Sequence, residues 1–182
     1  MDKKLANAHT NRILWVDLEM TGLDATTDRI LEVAAIVTDW NFKELGTYEA
    51  IIHQSDRTLA TMNEWCITQH GVSGLTQRVR ASTTTSKQAE TGLLKFIDEH
   101  FEKDKPVLLA GNSIHMDRRF ITALWPHLDA RLHYRMLDVS AWKVVFEGKF
   151  KKKFAKPQDH RALGDIRGSI SELQYYLSKV KA

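Results

Sequence analysis

ILWVDLEMTG, residues 13–22, is the stretch that decides the fold, because an apolar run there leads directly into two acidic residues. The first four residues are typical of a strand buried on both faces. The two-residue period of a strand places Asp17 and Glu19 on one face. Two like charges beside a core raise at least one pKa unless a cation neutralises them, so the pattern predicts an oxygen-ligand site suited to Mg²⁺ or Mn²⁺ and not zinc. The alternative is that the strand has already ended and both carboxylates are solvated.

The rest of the chain predicts a mixed sheet of the α/β class. Two further strands with no helix between them complete a three-strand meander, and strand–helix alternation follows. The predicted strands are 13–20, 30–37, 46–53, 107–110 and 135–138, and the predicted helices are 58–69, 86–101, 116–124 and 139–146. A last helix is predicted because Ile166, Ile170, Leu173, Leu177 and Val180 repeat at helical spacing.

Length and composition exclude several classes of protein. A chain of 182 residues predicts a single domain (1–182), and a net charge of +3 excludes a strongly basic nucleic-acid coat. With 43% hydrophobic and 27% charged residues, the chain is neither disordered nor collagen-like, and no apolar run is long enough to span a bilayer. Residues 1–11 lack an apolar signal region and are expected to be a flexible N-terminus. The lone Cys66 excludes an intramolecular disulfide and a cysteine-rich zinc site, so a reducing, cytoplasmic location is expected.

Two more acidic residues and a histidine follow later elements. Asp117 comes after the fourth strand, at the start of the next helix, and Asp165 begins the last helix. For both residues the alternative to a functional role is a helix cap or a favourable interaction with the helix dipole. His160 lies five residues before Asp165, and an imidazole near carboxylates is suited to act as a general base. The basic run from Lys149 to Lys156 is interpreted either as a solvated loop or as a segment that attracts RNA.

Three motifs in order resemble the DEDDh 3′–5′ exonuclease family: DLEMTG at 17–22, GNSIxxDRRF at 111–120 and HxxxxD at 160–165. WVDLEMTGL, HQSD, HYRMLDVS and DIRxSIxELxYY are similar to the branch of that family that degrades very short RNAs. The resemblance runs from about residue 13 to residue 176, and several ordered motifs are far more specific than any one of them.

The resemblance implies a ribonuclease-H-like fold, in which an antiparallel three-strand meander joins parallel strands and helices flank the sheet. It implies that Asp17, Glu19, Asp117 and Asp165 hold two divalent ions, Mg²⁺ or Mn²⁺, and that His160 deprotonates the attacking water. The implied activity is 3′–5′ hydrolysis of very short RNAs, especially 5′-phosphorylated dinucleotides, to nucleoside 5′-monophosphates. Met116, Gly164 and Gly168 depart from the family pattern, which puts the outer support of the metals in question.

The resemblance also implies which residues contact the substrate. Leu23, Trp65 and Tyr134 match positions that pack on the bases, although Trp65 shares the helical stripe of Leu59 and Met62 and is alternatively a core residue. The residues matching contacts to the 5′ phosphate are Ser113, Arg135 and Ser140. His70 contacts a substrate phosphate or caps a helix end.

Residues 133–135 resemble a segment that the family presents to its neighbour's substrate, which implies a homodimer with Tyr134 and Arg135 acting in trans. Two other functions stay open from the sequence. One is a proofreading or RNA-trimming exonuclease of the same family that acts on longer strands. The other is a catalytically silent RNA-binding scaffold.

Overall fold

The structure is a computed structural model that describes residues 11–155 and 162–180. Its strands are β1 (Arg12–Met20), β2 (Ile30–Asp39), β3 (Glu44–Ile51), β4 (Val107–Gly111) and β5 (Leu132–Asp138). They form one sheet of order β3-β2-β1-β4-β5, in which β1, β2 and β3 pair antiparallel while β4 pairs parallel to both β1 and β5. The predicted meander joined to parallel strands is therefore confirmed, and β1 is the central strand.

Eight helices are described in these two ranges. They are α1 (Asp56–Leu59), α2 (Glu64–Val72), α3 (Leu75–Ala81), α4 (Ser86–His100), α5 (His115–Leu124), α6 (Pro126–Arg131), α7 (Val139–Phe150) and α8 (Ala162–Leu177). In the described part of the chain, no helix is long and apolar enough to cross a membrane. The expectation for the N-terminus concerns residues 1–11, of which 1–10 lie outside the described residues. The single-domain expectation stays a prediction.

The prediction of one helix over 58–69 is wrong. α1 ends at Leu59, and a second helix, α2, begins at Glu64 because the side chain of Asn63 accepts a hydrogen bond from the Cys66 amide. The side chain of Ser55 caps the start of α1 in the same way, by accepting from the Thr58 amide. α3 and α6 were not predicted from the sequence. Both are short, and α6 begins at Pro126, a residue whose fixed φ suits the first position of a helix.

Helices cover both faces of the sheet, and β1 alternates between them. Leu14, Val16 and Leu18 pack into the cluster that contains the apolar residues of α4, α5 and α6. Ile13 and Trp15 pack into the opposite cluster, with the apolar residues of α7 and α8. Asp17 and Glu19 continue this second stripe, so the strand period carries both carboxylates toward the side of the sheet that α8 covers.

Gly111 ends β4 where this strand passes β1. A Cβ atom at residue 111 would lie 2.9 Å from the Val16 carbonyl oxygen and 2.8 Å from Cδ1 of Ile114. Only glycine permits this approach without a shift of the backbone or of Ile114. The close approach brings the turn after β4 next to the acidic end of β1.

Candidate active site

Three carboxylates meet at the C-terminal end of β1. One oxygen from each of Asp17, Glu19 and Asp165 lies within 4.8 Å of the other two. Since β1 continues to Met20, the alternative that the strand ends before these acids is wrong. Asp165 arrives from the first turn of α8, whose apolar face packs beside Ile13 and Trp15. Three hard oxygen donors at this separation fit a divalent ion of the Mg²⁺ or Mn²⁺ type.

Asp117 lies beside this cluster and is buried in the first turn of α5. Its Oδ1 accepts a hydrogen bond from the amide of Leu18, the residue between Asp17 and Glu19, with an N–O distance of 2.9 Å. Burial raises the pKa of Asp117 to about 7, and the charges of Glu19 and Asp138 act in the same direction, against hydrogen bonds from backbone amides. A nearby divalent cation would favour the ionised carboxylate, so this environment suits a metal ligand.

His70 is buried near the same acids. Its Nε2 donates to the carbonyl oxygen of Met20 at 2.9 Å, and its Nδ1 lies 3.9 Å from Oε2 of Glu19. The expectation that His70 caps a helix end is wrong, because the ring is bonded to β1 instead. Its contact with a substrate phosphate stays a prediction, and the structure places it as a support for the end of β1.

A cleft of about 540 Å³ opens beside the loop that follows β1. Leu23 lines it and is 68% exposed. Trp65, on α2, is 67% exposed, whereas Leu59 and Met62 are buried. The interpretation of Trp65 as a core residue is therefore wrong. Exposed apolar and aromatic side chains of this kind are suited to contact with nucleic-acid bases. The cleft is lined by Thr21, Gly22, Leu23, Asp24, Asp28, Thr61, Asn63 and Arg119.

Ser113 and Ser140 come together from different elements. Ser113 follows β4 and Ser140 lies in the first turn of α7, and their hydroxyl oxygens are 3.0 Å apart. Both backbone amides donate to Oδ1 of Asp138, the residue that caps α7. The structure thus brings together two of the three residues predicted to bind the 5′ phosphate. Arg135 is exposed on β5, where its guanidinium carbon is 5.3 Å from the centre of the Tyr134 ring.

Tyr134 lies on β5, one of the two edge strands of the described sheet, and is 59% exposed. Its ring stacks on that of His133, with centroids 4.5 Å apart. The next two residues, Arg135 and Met136, are also exposed. An exposed aromatic and a cation on an edge strand are available to a second molecule.

Two sequence predictions concern the segment between α7 and α8. His160 lies outside the described residues. The basic run begins within α7, which continues to Phe150, so the interpretation of the whole run as a loop is wrong for Lys149. The five residues from Lys151 to Ala155 follow the helix without regular secondary structure, and Lys156 lies outside the described residues.

Sequence reasoning assigned no role to three residues that hold the serine pair. Asn112 and Asp138 occur inside motifs that resemble the family, GNSIxxDRRF and HYRMLDVS, so the motifs were a signal for them. Glu172, on α8, is a buried carboxylate that accepts a hydrogen bond from Asn112 across 60 positions of sequence. Its place in the last amphipathic helix did not reveal that contact.

Comparisons with known proteins agree with this geometry. An exonuclease family model, RNase T, matches residues 14–173. An oligoribonuclease of Francisella tularensis is 45% identical over 173 residues, covering 93% of this chain and 96% of that protein. An oligoribonuclease of Corynebacterium efficiens is 47% identical over 174 residues, covering 93% of this chain and 79% of that protein.

A solved structure of E. coli exonuclease I in complex with a dT13 oligonucleotide shares the fold. The TM-score is 0.68 at 15% identity, and the match covers 94% of this chain and 41% of that one. The sheet order and this match show a ribonuclease-H-like fold, and the family model places the chain among the nucleases. The chain belongs to the exonuclease family that the matching model defines and, within it, to the oligoribonucleases.

Proposed function

We propose that this chain is a metal-dependent 3′–5′ exoribonuclease that converts very short RNAs, above all 5′-phosphorylated dinucleotides, to nucleoside 5′-monophosphates. The observation that carries the proposal is the cluster of Asp17, Glu19 and Asp165 at the end of the central strand. Its relatives named oligoribonuclease support the substrate class.

Two divalent ions, Mg²⁺ or Mn²⁺, are the proposed cofactors, with Asp117 as the fourth ligand. When bound, such ions supply the positive charge that stabilises the attacking and leaving oxygens of an anionic phosphodiester. Asp17 and Glu19 would hold them from β1, and Asp165 from α8. The hydrogen bond from His70 to Met20 holds the end of β1, the strand that carries Asp17 and Glu19.

His160 is the proposed general base, because it precedes Asp165 by five residues and its ordinary pKa lies near neutrality. His160→Ala should lower kcat by roughly 10²- to 10⁴-fold, with a milder effect on metal affinity. A variant that loses metal affinity but recovers its rate at high Mn²⁺ would show that His160 is a metal ligand instead.

The substrate is proposed to lie between two ends of the site. Leu23 and Trp65 contact bases near the metals, and Ser113, Ser140 and Arg135 receive the 5′ phosphate. A homodimer is proposed in which Tyr134 and Arg135 reach the partner's site, and their exposure on an edge strand supports this arrangement. A cytoplasmic location is proposed as well, in keeping with the buried free thiol of Cys66.

Cleavage of 5′-labelled RNAs from two to about ten nucleotides long tests the proposal. A site closed at both ends should give the highest kcat/KM for dinucleotides, since each added nucleotide removes charge-assisted hydrogen bonds to the 5′ phosphate. Asp17→Asn should abolish turnover, and so should a chelator. Equal kcat/KM for two-mers and seven-mers would favour an open-groove trimming exonuclease, and binding without cleavage would favour a silent scaffold.

A further inference from the structure

Asn112, in the turn after β4, connects the serine pair to α8. Its Nδ2 donates to Oγ of Ser169 and to Oε2 of Glu172, both at 3.0 Å. Its Oδ1 accepts from Oγ of Ser140 at 3.1 Å. The carboxylate of Glu172 only accepts hydrogen bonds, and this fixes the side of the Asn112 amide that carries the nitrogen. Both amide hydrogens and the carbonyl of Asn112 are therefore used inside the protein.

Glu172 anchors this amide from the interior. The carboxylate is buried, and its second oxygen accepts a hydrogen bond from the Tyr176 hydroxyl at 2.9 Å. Nζ of Lys143 lies 4.0 Å from the same oxygen. A buried carboxylate with several polar partners has a fixed position, because any movement would leave charge unpaired in the core.

Counting protons then distinguishes the two serines. A serine hydroxyl has one proton, and Ser140 donates its proton to Asn112. Oγ of Ser140 consequently acts as an acceptor toward Ser113, whose backbone amide lies 2.8 Å away. The two backbone amides also donate to Asp138. Among the described residues, the hydroxyl proton of Ser113 bonds only to Oγ of Ser140, so it can turn from there to an arriving phosphate.

We propose that Asn112 and Glu172 are positioning residues that fix the Ser113–Ser140 pair, so that the hydroxyl of Ser113 is aimed to donate to the 5′ phosphate. This inference rests on the proposed recognition of a 5′-phosphorylated end.

The same residues join the two ends of the site. Ser169, which accepts from Asn112, donates its hydroxyl proton to the backbone carbonyl of Asp165 at 2.9 Å. One turn of α8 therefore connects the amide behind the serine pair with a carboxylate of the acidic cluster. A chain of hydrogen bonds thus joins the proposed 5′-phosphate end of the site to its proposed metal end.

The test is the ratio of kcat/KM for a 5′-phosphorylated dinucleotide to kcat/KM for the same dinucleotide with a 5′ hydroxyl. Asn112→Asp keeps the side-chain size and can still accept a hydrogen bond from Ser140. It loses the two N–H donors to Ser169 and Glu172, and its carboxylate repels that of Glu172. The ratio should fall by roughly tenfold or more, the size expected for one lost charge-assisted hydrogen bond. Glu90→Gln, which alters a buried carboxylate on α4, is the matched control and should keep the wild-type ratio.

Three further results separate the inference from the function on which it rests. A wild-type preference for the 5′ phosphate that persists in Asn112→Asp would overturn the inference and leave the proposed function intact. A wild-type enzyme with no preference would overturn the proposed end recognition and the inference with it. If circular dichroism shows that Asn112→Asp is unfolded, Glu172→Gln decides by the same ratio. The glutamine has one side-chain oxygen where Glu172 has two, so it cannot accept as well from both Asn112 and Tyr176. An unchanged ratio in Glu172→Gln would therefore overturn the inference.

Discussion

At the scale of single residues, Asp117 has surroundings that oppose its ionisation. Its pKa is raised to about 7, mainly by burial. Because this folded-state pKa lies above the unfolded value of about 3.9, the metal-free protein should lose stability as the pH rises from about 4 to about 7. Asp117→Asn should remove that loss and raise the free energy of unfolding at pH 8 by about 2–4 kcal/mol. Urea denaturation in a chelator at pH 5 and pH 8 measures the effect.

The same experiment has a control and a contrary result. Asp104→Asn changes an exposed carboxyl in the turn before β4 and should leave the pH dependence as it is in the wild type. Adding Mg²⁺ should stabilise the wild type more than Asp117→Asn. If the free energy of unfolding changes with pH by the same amount in the wild type and in Asp117→Asn, the pKa of this carboxyl is not raised.

Ser113 allows a second prediction at this scale, because its backbone is left-handed with φ of 49°. Glycine adopts this conformation readily, and the relief of strain roughly offsets the larger entropy of an unfolded glycine. Ser113→Gly should therefore change the free energy of unfolding by less than about 1 kcal/mol. It should still lower the preference for a 5′-phosphorylated dinucleotide, since the hydroxyl is gone. Thermal denaturation and substrate competition measure the two effects, and a loss of stability with unchanged preference would contradict the assigned role.

At the scale of elements, α6 depends on a side chain from another helix. The N-cap of α6, Trp125, makes no side-chain cap, and Oε1 of buried Glu90 on α4 accepts instead from the amides of His127 and Leu128, at 3.0 and 3.1 Å. Glu90→Ala should lower the free energy of unfolding by about 2–3 kcal/mol because it leaves these donors unpaired. Glu90→Gln retains an acceptor and should lose less. Chemical denaturation measures both variants, and Glu99→Ala, at an exposed position of the same helix, is the control. Equal losses of unfolding free energy in Glu90→Ala and Glu99→Ala would contradict the cap.

The elements also show what the sequence could predict. The acidic pair of β1 was predictable because strand period and burial are local, and both carboxylates lie on one face as expected. The exposure of Trp65 was not predictable, because the helical stripe that links it to Leu59 assumes one continuous helix. The break at Asn63 changes the face of the helix on which Trp65 lies. The contact of Asn112 with Glu172 joins residues 60 positions apart and leaves no periodic signal.

At the scale of the whole molecule, the exposed face of β5 bears on how many chains make one site. If Tyr134 acts in trans, each site combines the acids of one protomer with Tyr134 of its partner, as a two-fold interface requires. Asp17→Ala and Tyr134→Ala should each be inactive as homodimers. A heterodimer of the two carries one site with both lesions and one site with neither.

Equal amounts of the two variants, mixed and allowed to exchange subunits, should therefore regain about a quarter of wild-type activity, because about half the dimers are mixed and half of their sites are intact. Asp17→Ala mixed with Asp117→Ala provides the control: these two lesions both lie among the acids of one protomer, so neither site of the heterodimer is intact and no recovery is expected. Dinucleotide turnover before and after exchange gives the recovery, and native mass spectrometry confirms that mixed dimers have formed. If they form without any gain in activity, Tyr134 serves the site of its own chain, and the exposed face of β5 needs another explanation.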